Sequence, residues 1–485
     1  MGLEQCADKK IGNWHLRGIS GGEKKRLSIN LEILSQPQIM LLDEPTTGLD
    51  SASAFFVIWA LRNIALEYGN IVICSIHQPS GYLFDLFDNL YLLSAGEAVY
   101  FGAAKSAVKF FADAGFPCGS RTNPSDHFLR CVNSDFDDIA ASFLRSKSSK
   151  STQQLGATTS YSPVNLTRKD VKAILIQMYK SSEYAAVARN KIQQINSTEE
   201  VNSLSNKSNA SWVKQLYTLT DRSFVNMTRD VGYYWIRMLF HLAVAVSVGS
   251  LYFGIDTSYM AITARAKCQG FVYGFMICLS VGGLPSFMEE LKVCNRERLN
   301  KHYGATVVVM SNFLSSLPFL VVMALSSGTI IYEMVKFRPG FSHYSYFCIN
   351  LFCCMSVIEC SMMVVAFLVP NVLMGIGIGT GLNVFMMMAS DIFKPLTDLP
   401  KFFWHYPMSY ISFASWALQG VYKNDMIGLE FDPLVPGDPK LMGEMVLQTM
   451  YGIPLDHSKW WDLAALMCLL LLHRLLSLVV LKYVQ

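Results

Sequence analysis

Residues 19 to 51 read ISGGEKKRLSINLEILSQPQIMLLDEPTTGLDS. Three pieces follow one another. Ser20-Gly21-Gly22-Glu23 leads into Glu23 to Leu34, a stretch of helix-forming composition. Ile39-Met40-Leu41-Leu42 is a continuous apolar run that reads as a buried strand, and it ends in Asp43-Glu44. Gly48-Leu49-Asp50-Ser51 comes next. An open α/β sheet binds ligands at the carboxyl ends of its strands, so two acids there are well placed for chemistry. A glycine-flanked helix start offers free N–H groups and the positive end of the helix dipole to an anion, and the Ser20 hydroxyl adds a donor. Each piece alone has a plainer reading: a strand that merely ends in acids, or a serine N-cap. Their order and spacing, with Pro45 and the downstream Gly48 to Ser51, favour the ligand-binding one. His77 closes a second apolar run, Val72-Ile73-Cys74-Ser75-Ile76, where a neutral imidazole could sense a phosphate.

Composition divides the chain. Apolar residues make up 52% and charged residues 16% of 485 positions, against about 45–50% and about 25% in soluble domains. The apolar excess lies in the second half. A net charge of +3 points away from nucleic acid. The 12 cysteines fall in the first part or inside apolar runs, with none from Lys394 to Trp460, so no disulfide scaffold is implied. The opening residues MGLEQCADKK lack the apolar core of a signal peptide.

Residues 1 to about 145 alternate strand-like runs (Ile39 to Leu42, Ile71 to Ser75, Leu90 to Leu93, Val99 to Phe101) with helical stretches (Ser53 to Glu67, Ala104 to Ala114). That alternation predicts a parallel sheet covered on both faces. Residues 146–210 read as a polar linker containing a helix from Asp170 to Ile195. Residues 211–230 read as an amphipathic connecting helix, with Trp212, Leu216, Leu219 and Met227 along one stripe. Six spans are expected in 231–485: Tyr234 to Phe253, Gly270 to Phe287, Val307 to Tyr332, Tyr346 to Val369, Val372 to Phe393 and Leu463 to Val484. The basic loop of Lys292, Arg296, Arg298 and Lys301 is placed in the cytosol by the positive-inside rule. Both termini then lie inside and the loop 394–460 outside. The sequons at Asn165, Asn196, Asn206, Asn209 and Asn226 fall on the cytosolic side and read as chance. Within the spans, Glu359, His473 and Arg474 are expected to face protein rather than lipid. Gly375, Gly377, Gly379 and Gly381 make two interleaved G-x-x-x-G patterns that favour close helix packing.

The phrases carry a resemblance. Ser20 to Glu23, Asp43-Glu44, Gly48 to Ser51 and His77 resemble the signature, Walker B strand, D-loop and switch histidine of an ATP-binding cassette (ABC). With Gly12 to Gly18, Ile76-His77-Gln78-Pro79-Ser80, Asn123 to Phe128, Arg296 to Asn300 and Tyr406 to Tyr410, the chain resembles the plant G-subfamily (white–brown complex) half-transporters over nearly its whole length. The resemblance implies an α/β P-loop-type ABC nucleotide-binding domain, incomplete here, followed by an all-α six-helix ABC-2-type transmembrane domain. It implies ATP and Mg²⁺ as cofactors. Asp43 would hold Mg²⁺, and Glu44 and His77 would be catalytic. Ser20, Gly21, Gly22, Glu23 and Asp50 would contact ATP held by a second subunit. It implies a homo- or heterodimer with another half-transporter, lipophilic substrates such as lipids or lipid precursors, contact with membrane lipid and not nucleic acid, and a multi-pass protein of the plasma membrane. The helix at Glu289 to Asn300 would be a coupling element whose charges dock on the nucleotide-binding domain. Phe271, Phe275, Phe385, Met386 and Met387 would face the central cavity.

One departure stands out. No G-x-x-x-x-G-K-[ST] occurs in the sequence, so a complete nucleotide site in cis is not expected. The sequence reads as a fragment or incomplete gene product of a longer half-transporter. The alternative reading is a non-hydrolysing or regulatory membrane subunit.

Overall fold

The computed structural model describes residues 2–12, 18–120, 122–132, 168–197 and 210–483. Asn13 to Arg17, Asn165, Asn206, Asn209 and most of the linker 146–210 lie outside the described residues. The chain divides into two compact units, Met1–Ser205 and Asn206–Gln485.

In the first unit, helix α1 (Gly21–Leu34) leads to strand β1 (Ile39–Leu42), helix α2 (Ser51–Tyr68) and strand β2 (Ile71–Cys74). β1 and β2 pair in parallel, with Leu42 opposite Cys74. The alternation of a strand decides which side chains are covered. Met40, Leu42 and Val72 pack with Val57, Ile58 and Leu61 of α2. Ile39, Leu41, Ile71 and Ile73 point the other way and are 56–74% exposed. The sheet is therefore covered on one face among the described residues, not on both.

A short helix α3 (Gly81–Phe84) precedes strands β3 (Asn89–Ser94) and β4 (Glu97–Ala103). These form a separate antiparallel hairpin, which corrects the expectation of one parallel sheet. The physical reason is the two-residue link: Ala95 and Gly96 have φ of 46° and 81°, the left-handed pair that a tight hairpin requires. Helices α4 (Ala104–Asp113), α5 (Pro124–Val132), α6 (Arg168–Ser181) and α7 (Glu183–Ser197) follow. Tyr100, Phe110, Phe111, Phe128 and Leu175 form their shared core. The single helix expected over Asp170 to Ile195 is two helices.

The second unit is helical apart from one short strand pair. The amphipathic segment is helix α8 (Trp212–Arg229), with Leu219, Ser223 and Met227 buried. After a π-turn at Val231–Trp235 come α9 (Ile236–Leu251), α10 (Tyr259–Ser280), α11 (Leu284–Leu299), α12 (Ala305–Val335), α13 (Phe341–Leu368) and α14 (Val372–Met388). Then come α15 (Phe413–Met426), α16 (Gly443–Thr449) and α17 (Lys459–Tyr483). Among the described residues 4 helical stretches are long and apolar enough to cross a membrane, and α9 and α14 are shorter apolar helices. Helix α13 is central: α10, α11, α12, α14, α15 and α17 all pack on it.

The second span starts earlier than hydropathy predicts, at Tyr259 rather than Gly270. Arg265 and Gln269 lower the local hydropathy, yet both are buried. Arg265 donates to Asp425 at 3.0 Å and 3.2 Å, and Gln269 donates to the same carboxylate at 3.2 Å. The last turns of α15 thus hold three helices. Lys423 pairs with Asp462 of α17 at 3.0 Å. Asn424 donates to the His343 carbonyl of α13 at 2.9 Å. Asp425 takes Arg265 of α10. Helical geometry sends these three neighbours to different sides. The apolar, aromatic segment Phe413–Met426, helix α15, is buried along nearly its whole length, whereas Tyr410 and Ile411 just before it are exposed.

The glycine patterns on α14 resolve into two faces. A side chain at Gly375 would meet Leu284, and one at Gly379 would collide with Met362. Gly377 and Gly381 have open space around them. Glu359 accepts from the Tyr234 hydroxyl at 2.6 Å, and Arg474 lies over the Phe313 ring at 4.5 Å, so both have protein partners.

Candidate functional site

The acids at the end of β1 are held by the strand beside it. Ser75, the residue after β2, donates its hydroxyl to Asp43 Oδ1 at 2.6 Å and accepts the Glu44 N–H at 2.9 Å. Parallel pairing of β1 and β2 in register makes this possible. The Glu44 carboxylate is gripped at both oxygens: His77 Nε2 lies 2.8 Å from Oε1, and the Thr47 hydroxyl donates to Oε2 at 3.1 Å. Glu44 has φ of 47°, a left-handed conformation unusual for this residue. Its N–H is tied to Ser75, and its carbonyl accepts from Lys25 Nζ of α1, which also donates to the Thr47 carbonyl at 3.0 Å. Residues held in such conformations persist where neighbours over-determine them.

Asp43, Glu44 and His77 therefore form one cluster, as the sequence predicts. Ser75, Thr47 and Lys25 belong to the same cluster and escape sequence reading. For Ser75 the signal was available in principle, since it aligns with Asp43 once β1 and β2 pair.

The helix start is also ordered by its own residues. Ser20 caps α1: its hydroxyl accepts the Glu23 N–H at 3.2 Å, and the Glu23 carboxylate accepts the Ser20 N–H at 2.7 Å. This reciprocal pair is a capping box. The Ser20 backbone and side-chain hydrogen bonds hold the Glu23 carboxyl below its ordinary range. Space is open beside Gly21, whereas a Cβ at Gly22 would stand 3.0 Å from the Leu49 side chain. Gly22 thus lets α1 pack closely against Gly48 and Leu49, and Gly21 leaves the helix tip accessible. Asp50 caps α2 by accepting the Ser53 N–H at 3.1 Å, and the Ser53 hydrogen bonds depress its pKa. So Glu23 and Asp50, expected to face ATP, serve their own helix starts within this chain.

The loop after His77 is latched from a distance. Asn123 Nδ2 and the Ser125 hydroxyl both donate to the Pro79 carbonyl at 2.8 Å. The two phrases Ile76 to Ser80 and Asn123 to Phe128 meet here. Ser80 in turn caps α3.

The donor set suits Mg²⁺ better than a transition metal. Among the described residues no group of three or more His, Cys, Asp and Glu could hold a metal alone. Carboxylate oxygens at a strand end match an ion that keeps waters and takes its remaining ligands from phosphate.

In the second unit, the charges of α11 are largely committed. Arg222 of α8 donates to both oxygens of Glu297, at 2.7 Å and 2.9 Å. The Ser223 hydroxyl donates to Glu290 at 2.5 Å, and Lys292 pairs with Glu289 at 2.8 Å. Phe271 and Phe275 of α10 are 49% and 45% exposed and stack at 6.3 Å. Phe385 of α14 packs against Phe403 and Trp404 at 6.3 Å and 5.3 Å.

Comparison with known proteins finds transporter families along most of the chain. Residues 1–47 match the ABC transporter family, and residues 77–231 and 214–426 match two ABC-2 type transporter families. The chain is 51% identical to ABC transporter G family member 13 of Arabidopsis thaliana, over 100% of its own length and 72% of the relative's. It is 49% identical to ABC transporter G family member 11 of the same plant, over 99% of itself and 68% of that protein. Against ABC transporter G family member 1 of Petunia hybrida the identity is 42%, over 99% and 72%. The chain belongs to the G family of ABC transporters, membrane proteins that couple ATP hydrolysis to export.

Proposed function

We propose that the protein is one half of a dimeric exporter that moves lipophilic molecules, lipids or their precursors, outward across the plasma membrane. The observation that carries this is the Asp43–Glu44–His77 cluster at the strand ends, in the same chain as a bundle of apolar helices bearing exposed aromatics.

Each residue has a role in this reading. Glu44 orients and deprotonates the attacking water, held in place by His77 and Thr47. His77 relays the presence of the terminal phosphate to Glu44. Asp43, oriented by Ser75, holds Mg²⁺, which neutralises charge on the phosphates. The α1 tip at Ser20 to Gly22, with Glu23 and Asp50 ordering the two helix starts, contacts ATP carried by the second subunit. That subunit is either a second copy or another half-transporter. The basic residues Lys292, Arg296 and Arg298 of α11, with Lys301 just after it, lie in the cytosol, as do both termini, and residues 394–460 lie outside. The exposed Phe271, Phe275 and Phe385, with Met386 and Met387, offer flat and adaptable apolar contacts for substrate. Domain limits of 1–145, 146–210, 211–230 and 231–485 fit this division of labour.

The test is reconstitution of the protein in lipid vesicles with a half-transporter that carries its own phosphate-binding loop. Expected are nucleotide-dependent ATP turnover above that of the partner alone and outward movement of a fluorescent lipid. Gly21→Asp, which adds a negative charge at the helix tip, should abolish the gain. A complex that gains neither turnover nor lipid movement would establish the non-hydrolysing, regulatory reading instead.

A further inference from the structure

The connection between α11 and α12 and the last turns of α17 border an open pocket of about 690 Å³. That volume is within the range of small-ligand sites. Asn295, Arg298, Leu299, Thr306, Leu478 and Lys482 are among the residues lining it. Among the described residues its lining carries two formal charges, both positive.

Neither cation is neutralised by a carboxylate within ion-pair distance among the described residues. Glu297, adjacent in sequence to Arg298, is occupied by Arg222 and by the Tyr303 hydroxyl. Arg298 donates from one terminal nitrogen to the Leu481 carbonyl at 2.8 Å. That bond fixes the guanidinium against α17 and leaves its other donors for a ligand. Helix α12 begins in the same wall, and no side chain caps it at Gly304, so its first-turn N–H groups lack an intrahelical partner. Beside these polar groups stand Leu299, 79% exposed, and Leu478, half-buried on the apolar helix α17. Cations and open N–H groups suit a phosphate; apolar lips at the end of membrane-spanning helices suit one that carries acyl chains.

We propose that this cavity seats the phosphate headgroup of an anionic phospholipid from the cytosolic leaflet, with its acyl chains against Leu299 and Leu478. The sidedness rests on the topology given above; the chemistry of the cavity does not. Basic pockets between membrane helices on the cytosolic side bind such headgroups. Bound there, the lipid ties the start of α12 to the end of α17.

The experiment is retention of lipid by the purified dimer after extraction from nanodiscs of phosphatidylcholine doped with phosphatidylinositol 4-phosphate, read by native mass spectrometry. The anionic lipid should stay bound in preference to phosphatidylcholine. Lys482→Gln and Arg298→Gln should each reduce retention about fivefold. Lys482 loses only a contact over the neighbouring Tyr483 ring at 5.2 Å, so its variant remains informative even where Arg298→Gln folds poorly. Lys292→Gln, on α11 but outside the cavity, should change nothing. An equal loss from Lys292→Gln would show generic surface attraction and overturn the site. Displacement of the lipid by inorganic phosphate at comparable concentration would assign the cavity to a free anion and overturn the lipid. Retention needs no nucleotide, so a dimer that keeps the lipid without hydrolysing ATP counts against the exporter reading alone.

Discussion

At the residue scale the cluster around Glu44 gives the sharpest expectations. Glu44→Gln keeps the shape and the contact with Thr47 but removes the proton acceptor. With a phosphate-binding loop joined upstream in the same chain, hydrolysis at the site Glu44 serves should fall about 10²–10⁴-fold with ATP still bound, as measured by phosphate release and nucleotide trapping. An unchanged rate would remove Glu44 from its role. Ser75→Ala should also slow turnover, because it frees Asp43 and the Glu44 N–H together. The two capping carboxylates respond to pH in one direction. Glu23 and Asp50 have folded pKa values below their ordinary range, so their contribution is present above pH ~4 and is lost as pH falls through the lower folded values. Acid titration of the protein, followed by helical circular dichroism, should show α1 and α2 fraying only below pH ~4, and Glu23→Ala combined with Asp50→Ala should remove that dependence. Sequence made Asp43, Glu44 and His77 legible because their spacing is local to two strands. It hid Ser75 and Lys25, whose roles depend on which strand lies beside β1 and where α1 returns.

At the element scale the same contrast holds. The limits of α8 and α12 follow from apolar pattern, since nothing within them contradicts it. The second span was read too short because Arg265 and Gln269 look foreign to a membrane helix until Asp425 is seen beside them. A buried ion pair loses far more from removing one partner than from replacing both. Asp425→Ala should therefore cost on the order of 3–5 kcal/mol, visible as a lower melting temperature of the detergent-solubilised protein. Arg265→Met combined with Asp425→Leu should recover most of that loss. A second contrast belongs to α14. Gly379→Leu, forced against Met362, should destabilise by about 1–3 kcal/mol. Gly381→Leu, with nothing near it in this chain, should stay within about 0.5 kcal/mol. Equal melting temperatures for the two would mean that α14 packs by the other glycine face.

At the scale of the whole molecule the open question is which end of the bundle faces the cytosol. The charge pattern alone is not unanimous, because Lys336 and Arg338 lie on the side assigned to the exterior. The structure supplies a reason to discount Arg338. Its backbone N–H donates to Asp425 at 2.9 Å and its side chain to the Ile427 carbonyl, so it serves the α15 end rather than reporting on sidedness. Lys301 and Lys440 are both exposed and lie at opposite ends of this scheme, which makes them suitable reporters. Cysteine placed at 440 should react with an impermeant maleimide on sealed cells. Cysteine placed at 301 should react only after permeabilisation. No native cysteine occurs between Lys394 and Trp460, and both reporters are read as the gain over the parent chain, which keeps the half-exposed Cys74, Cys118 and Cys131 and the exposed Cys278 and Cys468. Labelling of position 301 from outside would invert the bundle. It would place the α1 tip and Glu44 away from cellular ATP, and the exporter reading would fail with it.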